Sequence, residues 1–429
     1  MRLTSASHAI LTLPFIVGRL GVEKMEKRAA YCGLPPAIAL TASLTCAACG
    51  LGVQGPGDAA RAFGAGEPRA GISILAAGDV LLTRLPGERM RNAGFDSLMA
   101  GIEPLVEAAD ISFANLECPI STRGSPYPQK PVNVTFRASP EAAFSLREAG
   151  FDVVSLANNH MSDYGAAAVA ETLRYLDLIG IEHTGAGRGG SEARRAAIAR
   201  KGGYSVAFLA YVEPMWSVVE ARDPPWPAPL ATIGPDGVTK SAGPGRPGTA
   251  VIRDDTLMSD IASLRARGDI DIIAVSFHWG EEIAAEPNAY QRKFARMAID
   301  GGADIVLGHH PHVLQGVERY KDGLILYSLG NLVFDMREDS TFDSLAAIVR
   351  LGRETSGKAR IETLELVPLR IARGSWAPSP AIGQDRRRIT DYLRERSKNL
   401  GLELRLGGVA LLEGERWLPG LSWTRDLGP

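Results

Sequence analysis

Five short apolar runs in this chain each stop at a cluster of side chains able to donate nitrogen or oxygen to a cation. That repetition constrains the fold more than any other feature of the sequence. Residues 72–77 end in Gly78-Asp79, 111–114 in Asn115-Leu116-Glu117, 153–157 in Asn158-Asn159-His160, 272–277 in His278-Trp279-Gly280, and 305–307 in Gly308-His309-His310-Pro311-His312. Short β-branched runs bounded by Gly or Asn read as buried strands. In an open α/β sheet, ligands gather in the crevice beyond the carboxyl ends of the strands. Five of the chain's seven histidines, with Asp79, Glu117 and the Asn158-Asn159 pair, would thus meet at one sheet edge.

Helical patterns alternate with the runs. Residues 95–109, 140–149, 165–179, 256–267 and 290–300 carry apolar residues at three- and four-residue spacing. Strands interleaved with helices predict an α/β fold, and 429 residues at 45% hydrophobic content suffice for a full core. After residue 324 the pattern turns strand-like at 324–328, 345–351 and 360–371, then helical at 385–398, before a tail with Trp417 and Trp423. Residues 71–351 read as the main domain and 352–429 as a C-terminal strand, helix and tail. Between 213 and 248 lie eight prolines and five glycines. A stretch of that kind is either a functional lid or a solvated insertion.

The amino end has a different character. Met25 opens Glu26-Lys27-Arg28, a mostly apolar stretch over 34–48 and then Cys49-Gly50, the layout of an export signal. A second apolar patch at 9–18 makes Met25 a candidate true start. The expected product is extracytoplasmic, either cleaved or lipid-anchored through Cys49, with 50–70 as a Gly, Ala and Pro-rich linker. Cys118 is the sole cysteine beyond the leader, which excludes an intrachain disulfide framework. It reads as a buried filler. With 47 basic and 49 acidic residues and no block of one sign, a nucleic-acid partner is not expected.

Each cluster suggests chemistry. His310 and His312 flank a proline that stiffens their turn, so two imidazoles two residues apart can reach one metal or two adjacent ones. His309 is expected to point away from them and contact solvent. His278 leaves a run buried on both faces and reads either as a hydrogen-bonding core residue or as a ligand, with Glu281 or Glu282 as a partner that orients a ring. Asp79 and Glu117 supply the oxygens that two close cations need, although a turn and a helix cap explain them equally in isolation. Asn159 offers an amide oxygen. His160 is a candidate proton donor and Asp163, three residues on, its orienting partner. Arg137 could meet an anionic substrate or a surface acid.

In order along 72–335, these clusters together with Phe136-Arg137-Ala138, Gly185-Ala186-Gly187 and Tyr327-Ser328-Leu329-Gly330-Asn331 resemble the capsule-synthesis protein CapA family. Its members are associated with poly-γ-glutamate production and look like calcineurin-type metallophosphatases. The resemblance implies a layered αββα fold of that type. It implies that Asp79, Glu117, Asn159, His278, His310 and His312 line a metal site, with His160 near substrate and Asn331 near the crevice. The sequence departs from the wider metallophosphatase pattern at Leu81, where a His is usual, and at Asn115-Leu116-Glu117, which replaces a Gly-Asp element.

The resulting expectation is an exported, metal-dependent hydrolase in which one or two divalent ions, Mn, Fe or Zn, activate a water for phosphoester-type chemistry. Two alternatives stay open. One is a non-catalytic component that binds an anionic envelope polymer such as poly-γ-glutamate through a metal, within a membrane synthesis complex. The other is a hydrolase of γ-glutamyl amide bonds.

Overall fold

The chain first runs back and forth through parallel strands. β1 (Ile72–Val80), β2 (Ile111–Leu116), β3 (Val153–Ser155) and β4 (Glu182–Thr184) lie side by side and parallel. Between them come α1 (Arg84–Ala93), α2 (Glu103–Ala108), α3 (Ala142–Glu148) and α4 (Gly165–Ile179). These descriptions come from a computed structural model, which describes residues 71–94, 97–215, 217–222, 246–413 and 416–424. The leader, the linker and most of the Pro/Gly-rich insertion lie outside the described residues. Residues 69–429 form one unit.

A second sheet follows. After β5 (Ala186–Gly187) and α5 (Gly190–Ala193), the hairpin of β6 (Ala197–Lys201) and β7 (Tyr204–Val212) begins it. β8 (Gly248–Thr249) pairs back onto β5. Then α6 (Asp254–Ala266), β9 (Ile272–His278), α7 (Ala289–Asp300), β10 (Ile305–His309), β11 (Val317–Tyr320) and β12 (Gly323–Leu326) complete the order β11-β12-β10-β9-β7-β6. The chain returns to the first sheet with β13 (Asn331–Val333), β14 (Asp343–Arg353), β15 (Ala359–Ile371) and β16 (Pro378–Pro380). α8 (Gly383–Asn399) precedes the hairpin of β17 (Arg405–Glu413) and β18 (Arg416–Thr424). β14 runs through residue 351 and pairs with β15 along its length, so the C-terminal strands extend the same sheet.

Side-chain alternation along the strands builds the layers. Ile72, Ile74 and Ala76 of β1 share one core with Ile272 and Ala274 of β9 and with Ile305 and Leu307 of β10, so the two sheets face each other. Leu75 and Ala77 instead meet Met90, Leu105, Leu146 and Leu173 from the helices over the first sheet. Ile273, Val275 and Phe277 meet Leu257 and Ile261 of α6 and Phe294 of α7 over the second. The result is a mixed α/β fold, with parallel strands forming one side of the first sheet and the centre of the second, and helices on both outer faces. No helix among the described residues is long and apolar enough to cross a membrane.

The helical periodicity at 165–179 coincides with α4, and those at 256–267 and 290–300 with α6 and α7 to within two residues. The one at 95–109 shortens to α2, whose Pro104 stands in the first turn, where a missing N–H costs nothing. α1 and β7 carried no pattern that had singled them out.

Candidate metal centre

Asp79 reaches the crevice because β1 holds one residue more than its partner. Ala76 lies opposite Phe113 of β2, yet Asp79 lies opposite Asn115, so three steps on β1 match two on β2. Phe113 faces the space between the sheets, Asn115 shares that face, and the bulge turns Asp79 onto it. Gly78 makes the turn feasible. A Cβ there would stand 2.1 Å from the Gly330 carbonyl oxygen, which accepts the Asp79 N–H at 3.0 Å.

Asp79 is fully buried and well held. Its Oδ1 accepts from the Asn115 amide at 2.9 Å and its Oδ2 from the His310 backbone N–H at 3.1 Å. Burial by itself would raise its carboxyl, but the adjoining His309, then His312 and the Asn115 amide, outweigh it and hold the group below its usual range.

Glu117, one residue past β2, is the opposite case. Both carboxylate oxygens are buried and have no hydrogen-bond partner among the described residues. Oε1 lies 3.7 Å from His278 Nε2, 3.7 Å from His312 Nε2 and 3.9 Å from His160 Nε2. Burial, and then the charge of Asp79, push its carboxyl well above the ordinary value.

The imidazoles come from the second sheet. His278 ends β9 with Nδ1 3.3 Å from the Asn115 amide nitrogen and Nε2 2.9 Å from Asn159 Oδ1. His310 and His312 follow β10 in backbone conformations with φ of 94° and 57°, a region that side chains other than glycine adopt at a cost. The rings of His278 and His310 lie 4.7 Å apart by centroid. His312 Nδ1 lies 2.8 Å from Asn331 Oδ1, and the Asn331 amide donates to the Thr341 carbonyl at 3.0 Å. Asn331 therefore braces a ring. Burial, followed by the neighbouring imidazoles, pushes His278 well below its ordinary value, and burial with His312 pushes His310 down to about 3.

Three groups of donor atoms lie within 4.8 Å of one another: Glu117 with His278 and His310, Asp79 with Glu117 and His312, and the exposed Glu282 with His310 and His312. The first two share Glu117. A buried carboxylate with no partner is costly, and neutral imidazoles are the form that coordinates a cation. The residues present thus fit one or two divalent ions, with oxygen and nitrogen donors and no thiolate. Leu81 is fully buried in the helix-side core and adds no donor.

His309 departs from the sequence expectation. It is 0% exposed and its Nδ1 stands 3.0 Å from Asp79 Oδ1. β10 continues through it, and alternation from Ile305 and Leu307 carries it to the inter-sheet face near Phe113 instead of to solvent. It backs Asp79 and belongs to none of the three groups.

On the other wall, His160 stacks on Phe136 at 4.1 Å between centroids, with Nδ1 2.9 Å from Asp163 Oδ2. Burial pushes it down to about 4 in spite of Asp163. Lys130, which the sequence did not single out, is buried beside this pair. Its Nζ reaches Asp163 Oδ1 at 2.5 Å, His160 Nδ1 at 3.0 Å and the Asn159 carbonyl at 3.1 Å. Burial lowers its ammonium against the pull of Asp163. Asn158, expected at the same edge without a role of its own, turns out to be a brace. Its amide donates to the Leu116 carbonyl at 2.8 Å and its Oδ1 accepts the His160 N–H at 3.1 Å. Arg137 lies over the Tyr164 ring at 4.1 Å and donates to the Arg123 carbonyl. The Cys118 thiol is buried and pushed up to about 12, which leaves it inert.

The model of the bacterial capsule synthesis protein family matches residues 73–336. The capsule biosynthesis protein CapA of Bacillus anthracis is 31% identical over 310 residues, covering 72% of this chain and 69% of that protein. The PGA biosynthesis protein CapA of Bacillus subtilis is 30% identical over 329 residues, covering 76% and 78%. A probable polyglutamine synthesis accessory protein of Mycobacterium tuberculosis is 30% identical over 276 residues, covering 62% and 67%.

Proposed function

The chain belongs to the bacterial capsule synthesis protein family, and from that premise we propose that it serves synthesis of a polyglutamate-type envelope polymer as a metal-dependent hydrolase with a metallophosphatase-type site. The observation that carries this reading is Glu117, a buried carboxylate with both oxygens unpartnered and three imidazole nitrogens within 4 Å of Oε1. Asp79, Glu117, Asn159, His278, His310 and His312 would hold one or two ions, Mn, Fe or Zn. Such ions supply Lewis acidity and lower the pKa of a water.

The protein's own groups do the rest. Asn115 and the His310 N–H fix Asp79, and Asn331 fixes the His312 ring. His160 faces Glu117 from the opposite wall and acts on the leaving oxygen, with Asp163 2.9 Å from its Nδ1. Arg137 and Asn331, expected near an anionic substrate, have partners within the protein, so the reading gives substrate contact to His160 first. His160→Ala should keep its metal and lose turnover by about 10²–10⁴-fold, measured on phosphoester and γ-glutamyl substrates. Turnover that survives the change would move the proton donor elsewhere.

Leu81, which adds no donor beside Asp79, favours a second reading: a non-catalytic module that binds an anionic polymer through a metal in a membrane synthesis complex. Protein loaded with Mn, Fe or Zn that hydrolyses neither substrate class yet binds polyglutamate until chelated would establish it. Hydrolysis of γ-glutamyl substrates alone would favour the amide hydrolase. The leader-like residues 25–49 support an extracytoplasmic location, testable by mass spectrometry of the mature amino-terminal peptide.

A further inference from the structure

We propose that Lys130 is a positioning residue that holds His160 with its proton on Nε2, so that a neutral imidazole presents an N–H donor to the crevice. The purpose of that donor rests on the hydrolase reading. The tautomer itself rests on a count of hydrogen bonds.

His160 Nδ1 has two neighbours at nearly equal distance that demand opposite states. Asp163 Oδ2, at 2.9 Å, can only accept, and Lys130 Nζ, at 3.0 Å, can only donate. One nitrogen cannot serve both. Lys130 has three protons and, besides Nδ1, two acceptors in Asp163 Oδ1 and the Asn159 carbonyl. Its side chain is 4% exposed, so a third proton without an acceptor would be a buried, charged, unsatisfied donor. Asp163 does not need the imidazole. Its Oδ1 accepts from Lys130 and its Oδ2 from the Phe136 backbone N–H at 2.7 Å.

With Nδ1 as an acceptor, all three Lys130 protons are bonded, and the repulsion between the Nδ1 lone pair and Asp163 Oδ2 at 2.9 Å is offset by the ammonium bonded to both groups. With Nδ1 protonated, an ammonium proton and a ring proton confront each other. The first arrangement leaves the proton on Nε2, which stands 3.9 Å from Glu117 Oε1, too far for a bond between them. Phe136, stacked on the ring, fixes its plane. An imidazole in this state cannot ligate a metal through Nε2, and it can polarise a bound oxygen without first becoming a cation.

The test reads ring protonation on the full chain, labelled with ¹⁵N in histidine, both metal-free and loaded with Zn²⁺. His160→Ala identifies the resonances of His160. The wild type should show Nε2 protonated and Nδ1 as an acceptor. Lys130→Met should switch the major tautomer to Nδ1–H, donating to Asp163, and Lys130→Arg should preserve the wild-type state. The ring of His183, paired with Asp177 at 3.1 Å, should not change and reports an intact fold. Should Lys130→Met not fold, Asp163→Asn serves: Lys130 still donates to Nδ1, and the Nε2–H state persists. A wild type protonated on Nδ1, or a folded Lys130→Met protein still protonated on Nε2, overturns the proposal. Absence of hydrolysis would defeat the functional reading and leave this result standing, so the two fail separately.

Discussion

The two walls of the crevice satisfy their polar atoms in opposite ways. On the wall built from the ends of β1, β2, β9 and β10, both Glu117 oxygens and His310 Nδ1 are buried without a hydrogen-bond partner among the described residues. On the wall of Lys130, Asp163, Phe136 and His160, charges meet and the Lys130 ammonium and the Phe136 N–H have acceptors. A buried unpartnered carboxylate costs several times what a bonded one does. One wall therefore leaves donors that a cation would satisfy, whereas the other is assembled by the protein alone.

Removing a charge from each wall probes this contrast most strongly. Glu117→Gln keeps the shape and should lower divalent-metal affinity by more than about 100-fold, beyond the range usual for groups that only support a ligand. Asp163→Asn should lower it by less than about tenfold. Equal losses in titrations of the two variants would erase the distinction between the walls. Among the clustered histidines, His310→Ala and His312→Ala should strip most of the metal. His309→Ala, which removes only a neighbour of Asp79, should lose affinity within the 10–100-fold range of a supporting residue. A ranking with His309 first, by metal content per chain, would mean that the donor groups are misassigned.

A separate effect is on stability against pH in metal-free protein. Burial holds His160 and His310 at about 4 and about 3, below the ordinary 6.5. As pH falls from 6.5 toward 4, the unfolded chain takes up protons that the folded chain refuses, and stability declines. Glu117 works the other way. Its raised carboxyl keeps a proton that the unfolded chain releases above 4.5, so its share of stability is lost as pH rises. Glu117→Gln removes that opposition and should steepen the rise of stability between pH 4.5 and 6.5 by up to about 1.4 kcal/mol per pH unit. Urea unfolding in chelator across that range measures it. An unchanged slope would show that Glu117 is not uncompensated in the folded protein.

The strand ends were legible because each run is short, β-branched and bounded by Gly or Asn, and five of them carried chemistry to one edge. α4, α6 and α7 were legible for the same reason, a clean apolar period. The bulge that aims Asp79 was not, since an extra residue in one strand shows only against its partner. His309 was misjudged because β10 continues two residues further than its apolar run does. Lys130 was missed because nothing in a Ser, Pro and Gly-rich stretch tells a buried lysine from a solvated one; its burial follows from Asp163, which lies thirty-three residues on.

The left-handed backbones of His310 and His312 set two requirements at single positions. The chain's path there favours glycine, and the chemistry calls for an imidazole. A glycine at either position would relax the turn and forfeit a donor. Selection for a hardier protein and selection for a working one therefore pull these codons in different directions. A search for thermostable variants that does not also screen for metal should find its gains there first, and each such gain would come with a disarmed site.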